Sequence, residues 1–214
     1  MEYNDYEKQF ELIIKFLHEN PTRLSCRSKK ANTYSDEGIA FLKNKFITAK
    51  TKNLTLSQPK TTPDIAVSEI LKATQGYSNE KAANIAKEHQ LSMAAENLVG
   101  ALLELYIASI LEKHGWVWCA GDFVKAIDFI KYNEKERIWE TVQVKNRDNT
   151  ENSSSSAIRN GSDIKKWFRS YSKPSKNGKP TNWENFPEKE FRNLLSEEGF
   201  QSFIKTYLSG QSFS

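Results

Sequence analysis

The sequence predicts an α/β or α+β domain in which helices precede and follow a small β-hairpin core. Three observations predict it. Apolar residues recur at helical spacing as far as Gly115. From Trp116 to Lys145 the pattern changes to short runs rich in β-branched and aromatic residues. Beyond Pro187 the helical pattern returns, and segregated runs of this kind mark a mixed fold. The 214 residues suffice for a sizeable core, and 38% hydrophobic with 12% aromatic content argues against disorder.

The elements follow in order. Phe10, Ile13, Ile14 and Leu17 place a helix over 4–18, which Asn20-Pro21 ends because the residue before proline avoids the α region. Residues 21–34 read as a polar, basic loop. A second helix starts after Ser35 and carries Ile39, Phe41, Leu42 and Phe46. Thr62-Pro63 offers a cap with proline at the first helical position for a third. Ser78 and Ser92 are further caps. The second opens the longest helical signal, where Leu98, Ala101, Leu102, Leu105, Ile110 and Leu111 predict a mostly buried helix stopped by Gly115. Residues 116–119, 126–132 and 137–145 read as strands, the last two joined by a hairpin at 133–136. Asp163–Tyr171 reads as a short basic helix, Pro187 opens a helical stretch, and an amphipathic helix closes the chain.

Composition narrows the function. No apolar run approaches the length that spans a membrane, and the acidic N-terminus lacks the basic region of a signal peptide. The expectation is a soluble intracellular protein. Cys26 and Cys119 are far apart and have no nearby Cys or His set, which argues against zinc. The net charge of +4 is unevenly spread. Residues 21–60 hold nine Lys/Arg against two Asp/Glu, and residues 145–181 hold nine against three. Two basic blocks suit a polyanion-binding surface, though a solvated lysine-rich face has the same composition.

Polar residues stand where core strands are otherwise apolar. Asp128 lies within AIDFI, and Gln143 and Lys145 end TVQVK. Strand side chains alternate, so Gln143 and Lys145 share a face that Asp128 reaches across the hairpin. Burying such groups together is costly unless something compensates them. A hard divalent cation does so, taking the Asp128 carboxylate, the Gln143 amide oxygen and the Val144 backbone carbonyl. Lys145 then orients or deprotonates a water, or offsets charge on a phosphate. Glu96 and Glu104 add carboxylates from the long helix, roughly 80° apart around its axis.

The pattern of Gly100 to Glu104, Gly115-Trp116, Asp128, a hairpin and Gln143-Val144-Lys145 resembles the PD-(D/E)xK nuclease core. The run QVKNRDNTENSSSSAIRNG, followed by IKKWFR and TNWEN, resembles SinI-like type II restriction endonucleases over residues 90–208. The resemblance implies a restriction-endonuclease-like core, a small mixed sheet flanked by helices, over residues 91–214. Residues 1–90 are expected to form a helical region serving as a DNA arm, a dimerisation element or both, or only as a packing layer. It makes Asp128 the motif aspartate and Lys145 the motif lysine, with Gln143, Glu104 and Glu96 completing the catalytic set. Metal ligands are then Asp128, Gln143, the Val144 carbonyl and Glu104. Gln143 stands where the family usually has Glu or Asp, and Ile127 stands where the motif proline would be. Mg²⁺ is the implied cofactor, with Mn²⁺ as a substitute. The implied substrate is double-stranded DNA with a short twofold-symmetric site of the GGWCC type.

A Ser- and Asn-rich run read without context is a linker. Here it follows the motif lysine directly, and its residue types suit duplex reading. Residues 146–183 are therefore the expected recognition segment. Arg147, Asn149, Asn152, Arg159 and Asn160 are candidates for base edges. Asn146 and Ser153, Ser154, Ser155 and Ser156 suit phosphates or the groove wall, and Lys165, Lys166, Arg169 and Lys173 suit the backbone. Among the tryptophans, packing is the expectation for Trp116, Trp118 and Trp139, while Trp167 suits packing or base stacking equally. A twofold site calls for a homodimer. A cognate DNA methyltransferase is expected in the same bacterial, cytoplasmic system, without a stable complex. Two alternatives stay open: a repair or junction nuclease of the same fold, and a non-catalytic DNA-binding module.

Overall fold

Helix caps chosen by side-chain chemistry set most of the boundaries. The computed structural model describes residues 3–59, 61–148, 163–173 and 178–210. Helix α1 (Tyr3–Glu19) buries Phe10, Ile13, Phe16 and Leu17 and stops ahead of a 3-10 turn at Pro21–Arg23. Helix α2 (Asp36–Thr51) begins where expected, with the Gly38 N–H donating to Ser35 Oγ at 3.2 Å. Helix α3 (Ile65–Gln75) is capped by Asp64, which accepts from the Ala66 N–H at 2.9 Å. The cap is thus Asp64 rather than Thr62, and Pro63 falls outside the helix. A carboxylate favours a helix N-terminus over a hydroxyl two residues earlier.

Helix α4 (Asn79–Leu111) runs unbroken for 33 residues. Ser78 caps it, accepting from the Lys81 N–H at 3.2 Å. Ser92 lies inside this helix and caps nothing, because residues 79–91 contain no glycine or proline to separate two helices. Gly115, at φ +82°, ends the following 3-10 turn in the left-handed region. The stretch Asn79–His114 is long and apolar enough to cross a membrane by length and composition, which corrects the expectation that no run approaches that length. Its last turns bury Leu103, Tyr106, Ile107 and Leu111 in the manner of a core helix.

The sheet has the order β1-β2-β3-β4, from β1 (Val117–Trp118), β2 (Phe129–Asn133), β3 (Ile138–Arg147) and β4 (Lys165–Ser170). Strands β1, β2 and β3 pair antiparallel, and β4 lies parallel to β3 with Val144 opposite Trp167. Residues 165–170, read from sequence as a basic helix, are therefore a strand. Trp167 is buried against Trp183 and Phe186, and its Nε1 donates to the Asn182 carbonyl at 2.9 Å. Pairing and burial override the helical appearance of the lysines. They also make Trp167 a core residue, not a stacking platform. Beyond it the expected helix at Pro187 is replaced by two 3-10 turns, Trp183–Asn185 and Lys189–Phe191. Proline holds the preceding Phe186 at ψ 136°, outside the helical region. Helix α5 (Glu197–Leu208), capped by Ser196, packs Phe200 and Phe203 against Tyr106.

The chain forms two compact units, one of Met1–Asn53 with Leu103–Ser214 and one of Leu54–Leu102. The first unit holds the sheet, α1, α2, α5 and the end of α4.

Candidate active site

The site begins with an irregularity in the ladder between β2 and β3. Phe129 stands opposite Val142, but the Asp128 N–H also donates to the Val142 carbonyl, at 2.9 Å. The pairing therefore shifts by one residue at Asp128. Its carboxylate fills the resulting gap, with Oδ2 accepting the Val144 N–H at 2.7 Å. On the other side the Asp128 carbonyl accepts from the Cys119 N–H at 2.8 Å. Ala126, at φ +61°, turns the chain into this position. Asp128 thus precedes β2 rather than sitting inside it, and main-chain bonds on both sides hold it.

Glu104 arrives from α4. Its Oε2 accepts the Trp118 Nε1–H at 3.1 Å. The Trp118 main-chain N–H donates to Glu112 at 3.3 Å, and Glu112 pairs with Lys50 of α2 in a nearly solvent-free ion pair. Burial pushes the Lys50 ammonium down, and the Glu112 carboxylate opposes that shift. The Lys50 Nζ also lies 5.2 Å from the Trp118 ring centroid. The indole that positions Glu104 is therefore fixed from below by a buried charge pair.

Electrostatics joins the two carboxylates. Burial raises Glu104 to about 8, helped by the negative charge of Asp128 and Asp122 and opposed by Trp118 and Lys145. Burial raises Asp128 to about 6, opposed by the Val144 N–H and by Lys145 and helped by Asp122. Two acids kept from ionising by burial, with Asp128 further raising Glu104 and Asp122 raising both, are a donor set short of positive charge. Lys145 supplies part of it from the half-buried end of β3. Gln143 is 2% exposed, two residues along the strand from Lys145. Among the described residues no three His, Cys, Asp or Glu side chains group as a metal-binding set. Protein oxygen donors beyond the two carboxylates would be an amide or main-chain carbonyl, with water or phosphate oxygens completing a shell.

The expected residues divide as follows. The fold brings Asp128, Glu104 and Lys145 into one electrostatic cluster. Glu96 is exposed and belongs to the second compact unit. Asn146 and Arg169 bond to each other, Arg169 Nε donating to Asn146 Oδ1 at 3.0 Å. Arg169 also grips Glu197 at 2.7 and 2.8 Å, so in this structure it ties β4 to α5 rather than standing ready for a phosphate. Lys165 pairs with Glu188 at 2.7 Å and remains half-exposed. Arg147 and Lys173 are exposed, and Lys166 is half-buried. Asn149, Asn152, Ser153, Ser154, Ser155, Ser156, Arg159 and Asn160 lie outside the described residues. Sequence reasoning missed Asp122 and Trp118 as parts of this cluster. Asp122 follows Gly121 in a turn, and only the fold shows its charge acting on both acids. Trp116, Trp118 and Trp183 are buried, and Trp139 packs on Phe16 and Tyr132, as the packing reading expects.

The chain as a whole is similar in sequence to known proteins. The family model described as SinI restriction endonuclease matches residues 2–210. The chain is 46% identical over 207 residues to the type II restriction enzyme Eco47I of Escherichia coli, covering 95% of this chain and 88% of that protein. It is 44% identical over 207 residues to the type II restriction enzyme SinI of Salmonella infantis, with the same coverage.

Proposed function

This chain belongs to the SinI restriction endonuclease family, and we propose that it hydrolyses double-stranded DNA at a short twofold-symmetric site of the GGWCC type, with Mg²⁺ as cofactor. The observation that carries the chemistry is the gathering of Asp128, Glu104 and Lys145 into one electrostatic cluster, with both acids raised by burial. Such a donor set fits a hard divalent cation, which favours carboxylate and carbonyl oxygens. Asp128 and Glu104 would hold it, with the Gln143 amide oxygen and the Val144 carbonyl as neutral donors. When bound, the cation offers Lewis acidity to the scissile phosphate and makes water a better nucleophile.

The chain's own residues do the rest. Trp118 keeps the Glu104 carboxylate aimed into the site. The Val144 N–H keeps Asp128 in place and favours its ionised form. Lys145 either places a positive charge where the phosphate gains negative charge and orients the attacking water, or, as the free amine, deprotonates that water. Glu96, exposed on α4, is the weaker choice for the helix carboxylate. Residues 146–183 are the proposed reading segment, starting at the catalytic strand. Arg147, Lys165, Lys166 and Lys173 are proposed for the duplex, and Arg169 would join them only by leaving Glu197.

A twofold site is matched most simply by a homodimer. The exposed Ile65, Val67 and Ile70 of α3 offer apolar area for one, in keeping with a dimerisation role within residues 1–90. We place the protein in the bacterial cytoplasm, in a system that includes a cognate methyltransferase.

Digestion of DNA of known sequence with Mg²⁺ or Mn²⁺, followed by mapping of the ends, tests this reading. Discrete fragments with one shared end sequence support it. Cutting only of branched or damaged DNA would make it a repair or junction nuclease, and binding without cutting would leave a non-catalytic module.

A further inference from the structure

Helix α2 carries one stripe that the core does not use. Leu42 and Phe46 are fully buried, whereas Asn44, Lys45, Thr48 and Lys52 recur at helical spacing on another face. Asn44, Thr48 and Lys52 are exposed and Lys45 is half-buried. These residues form one wall of a groove of about 410 Å³ whose other wall is Gly121 and Asp122. The two walls meet closely. A Cβ on Gly121 would stand 3.2 Å from the Lys45 carbonyl and 3.0 Å from the Phe123 ring, and Gly121 has φ +106°. Only glycine lets the 121–122 turn lie against α2 in this way.

Asp122 links the groove to the carboxylates. From the groove edge its charge raises both Asp128 and Glu104. Among the described residues neither Lys45 nor Lys52 forms an ion pair, while Lys43 and Lys50 of the same helix do, with Glu7 and Glu112. Two lysines that form no ion pair, beside hydroxyl and amide groups, make a surface for phosphodiesters even with Asp122 on the facing wall. Seven residues of helix separate them by roughly 10 Å. That spacing lets each lysine neutralise a different phosphate of one strand.

We propose that the groove between α2 and the 121–122 turn is a track for the DNA backbone flanking the cut, with Lys45 and Lys52 as its phosphate-binding groups. The proposal rests on the endonuclease reading and deepens it. It gives the first basic block a place beside the chemistry that is separate from the reading segment. Non-specific binding there positions the scissile strand and reads no base.

The test is equilibrium binding across a salt series without divalent cation. The probes are a duplex centred on the mapped cut site and a scrambled duplex of the same length. Lys45→Gln/Lys52→Gln should lower the slope of log affinity against log salt by about 1.8, or about 0.9 for each phosphate no longer neutralised. Both duplexes should be affected alike, with the cut position unchanged. Lys45→Arg/Lys52→Arg should restore the slope, and Lys135→Gln in the β2–β3 hairpin should leave it unaltered. An unchanged slope in the double Gln variant beside salt-dependent wild-type binding overturns the track alone. An equal fall per charge in Lys135→Gln also overturns it, as a general charge effect. Absence of wild-type DNA binding overturns both the track and the endonuclease reading.

Discussion

The indole of Trp118 donates its hydrogen to Glu104 Oε2 at 3.1 Å, tying a core side chain to a carboxylate of the proposed metal set. Partners of this kind orient ligands and tune their basicity. Trp118→Phe keeps the ring and removes the donor. The Mg²⁺ concentration giving half-maximal cutting should rise about tenfold, with KM for DNA nearly unchanged. An unaltered Mg²⁺ midpoint would reduce the indole to a packing role.

Both acids hold protons above their ordinary range, which fixes the sign of the pH dependence. Glu104 shifts from 4.5 to about 8 and Asp128 from 3.8 to about 6. The folded state therefore binds protons more tightly than the unfolded state. Its advantage is complete below the ordinary values and is lost as pH rises through the shifted ones. Without divalent cation the thermal midpoint should fall between about pH 4 and pH 8. A cation that Asp128 and Glu104 hold should flatten the fall, and its binding should release protons at about pH 6 to 7 in calorimetry across buffers. A midpoint rising over this window without cation would contradict the shifts.

Asp128 bears on both cutting and the sheet, and two substitutions separate these roles. Asp128→Asn keeps an oxygen for the Val144 N–H but removes the charge. It should cut at least about 100-fold more slowly while remaining folded. Asp128→Ala should lose cutting and also about 1–3 kcal/mol of stability in urea, because the N–H is left without its acceptor. Equal stability of the two variants would show that the 2.7 Å bond contributes nothing to the fold. Lys145→Ala should abolish cutting while sparing specific binding.

Arg169 and Glu197 join β4 to α5. Burial raises the Glu197 carboxyl, but hydrogen bonds from Trp183 and Arg169 outweigh it and hold it below its ordinary value. Arg169→Ala should cost about 2 kcal/mol in urea unfolding, and Glu197→Ala a similar amount. The double variant should cost clearly less than their sum. Additive losses would mean the pair is not one interaction.

The long helices and the hairpin were legible because their signals are local: apolar period, Ser35 and Ser78 as caps, and a polar loop at 133–136. Asp128 and Lys145 stood out in the sequence because charge within an apolar run is unusual, and the fold sets their charges beside that of Glu104. Strand β4 was not, since KKWFR reads as a helix until Val144 pairs with Trp167. Arg169 looked free for the same reason, because Glu197 lies 28 residues away in sequence. Glu104 and Glu96 could not be separated by helix geometry alone. Their difference comes from which turn of α4 lies beside Asp128.

Burial that makes Asp128 and Glu104 resist ionisation also leaves a mark on how this lineage can change. In a host where cutting no longer matters, neutral side chains at these two positions would be favoured by folding alone. Decay would then start at the carboxylates, ahead of the basic groove and the cap residues. A descendant with Asn or Gln at 128 or 104 and an otherwise intact core would be a former nuclease that still binds DNA.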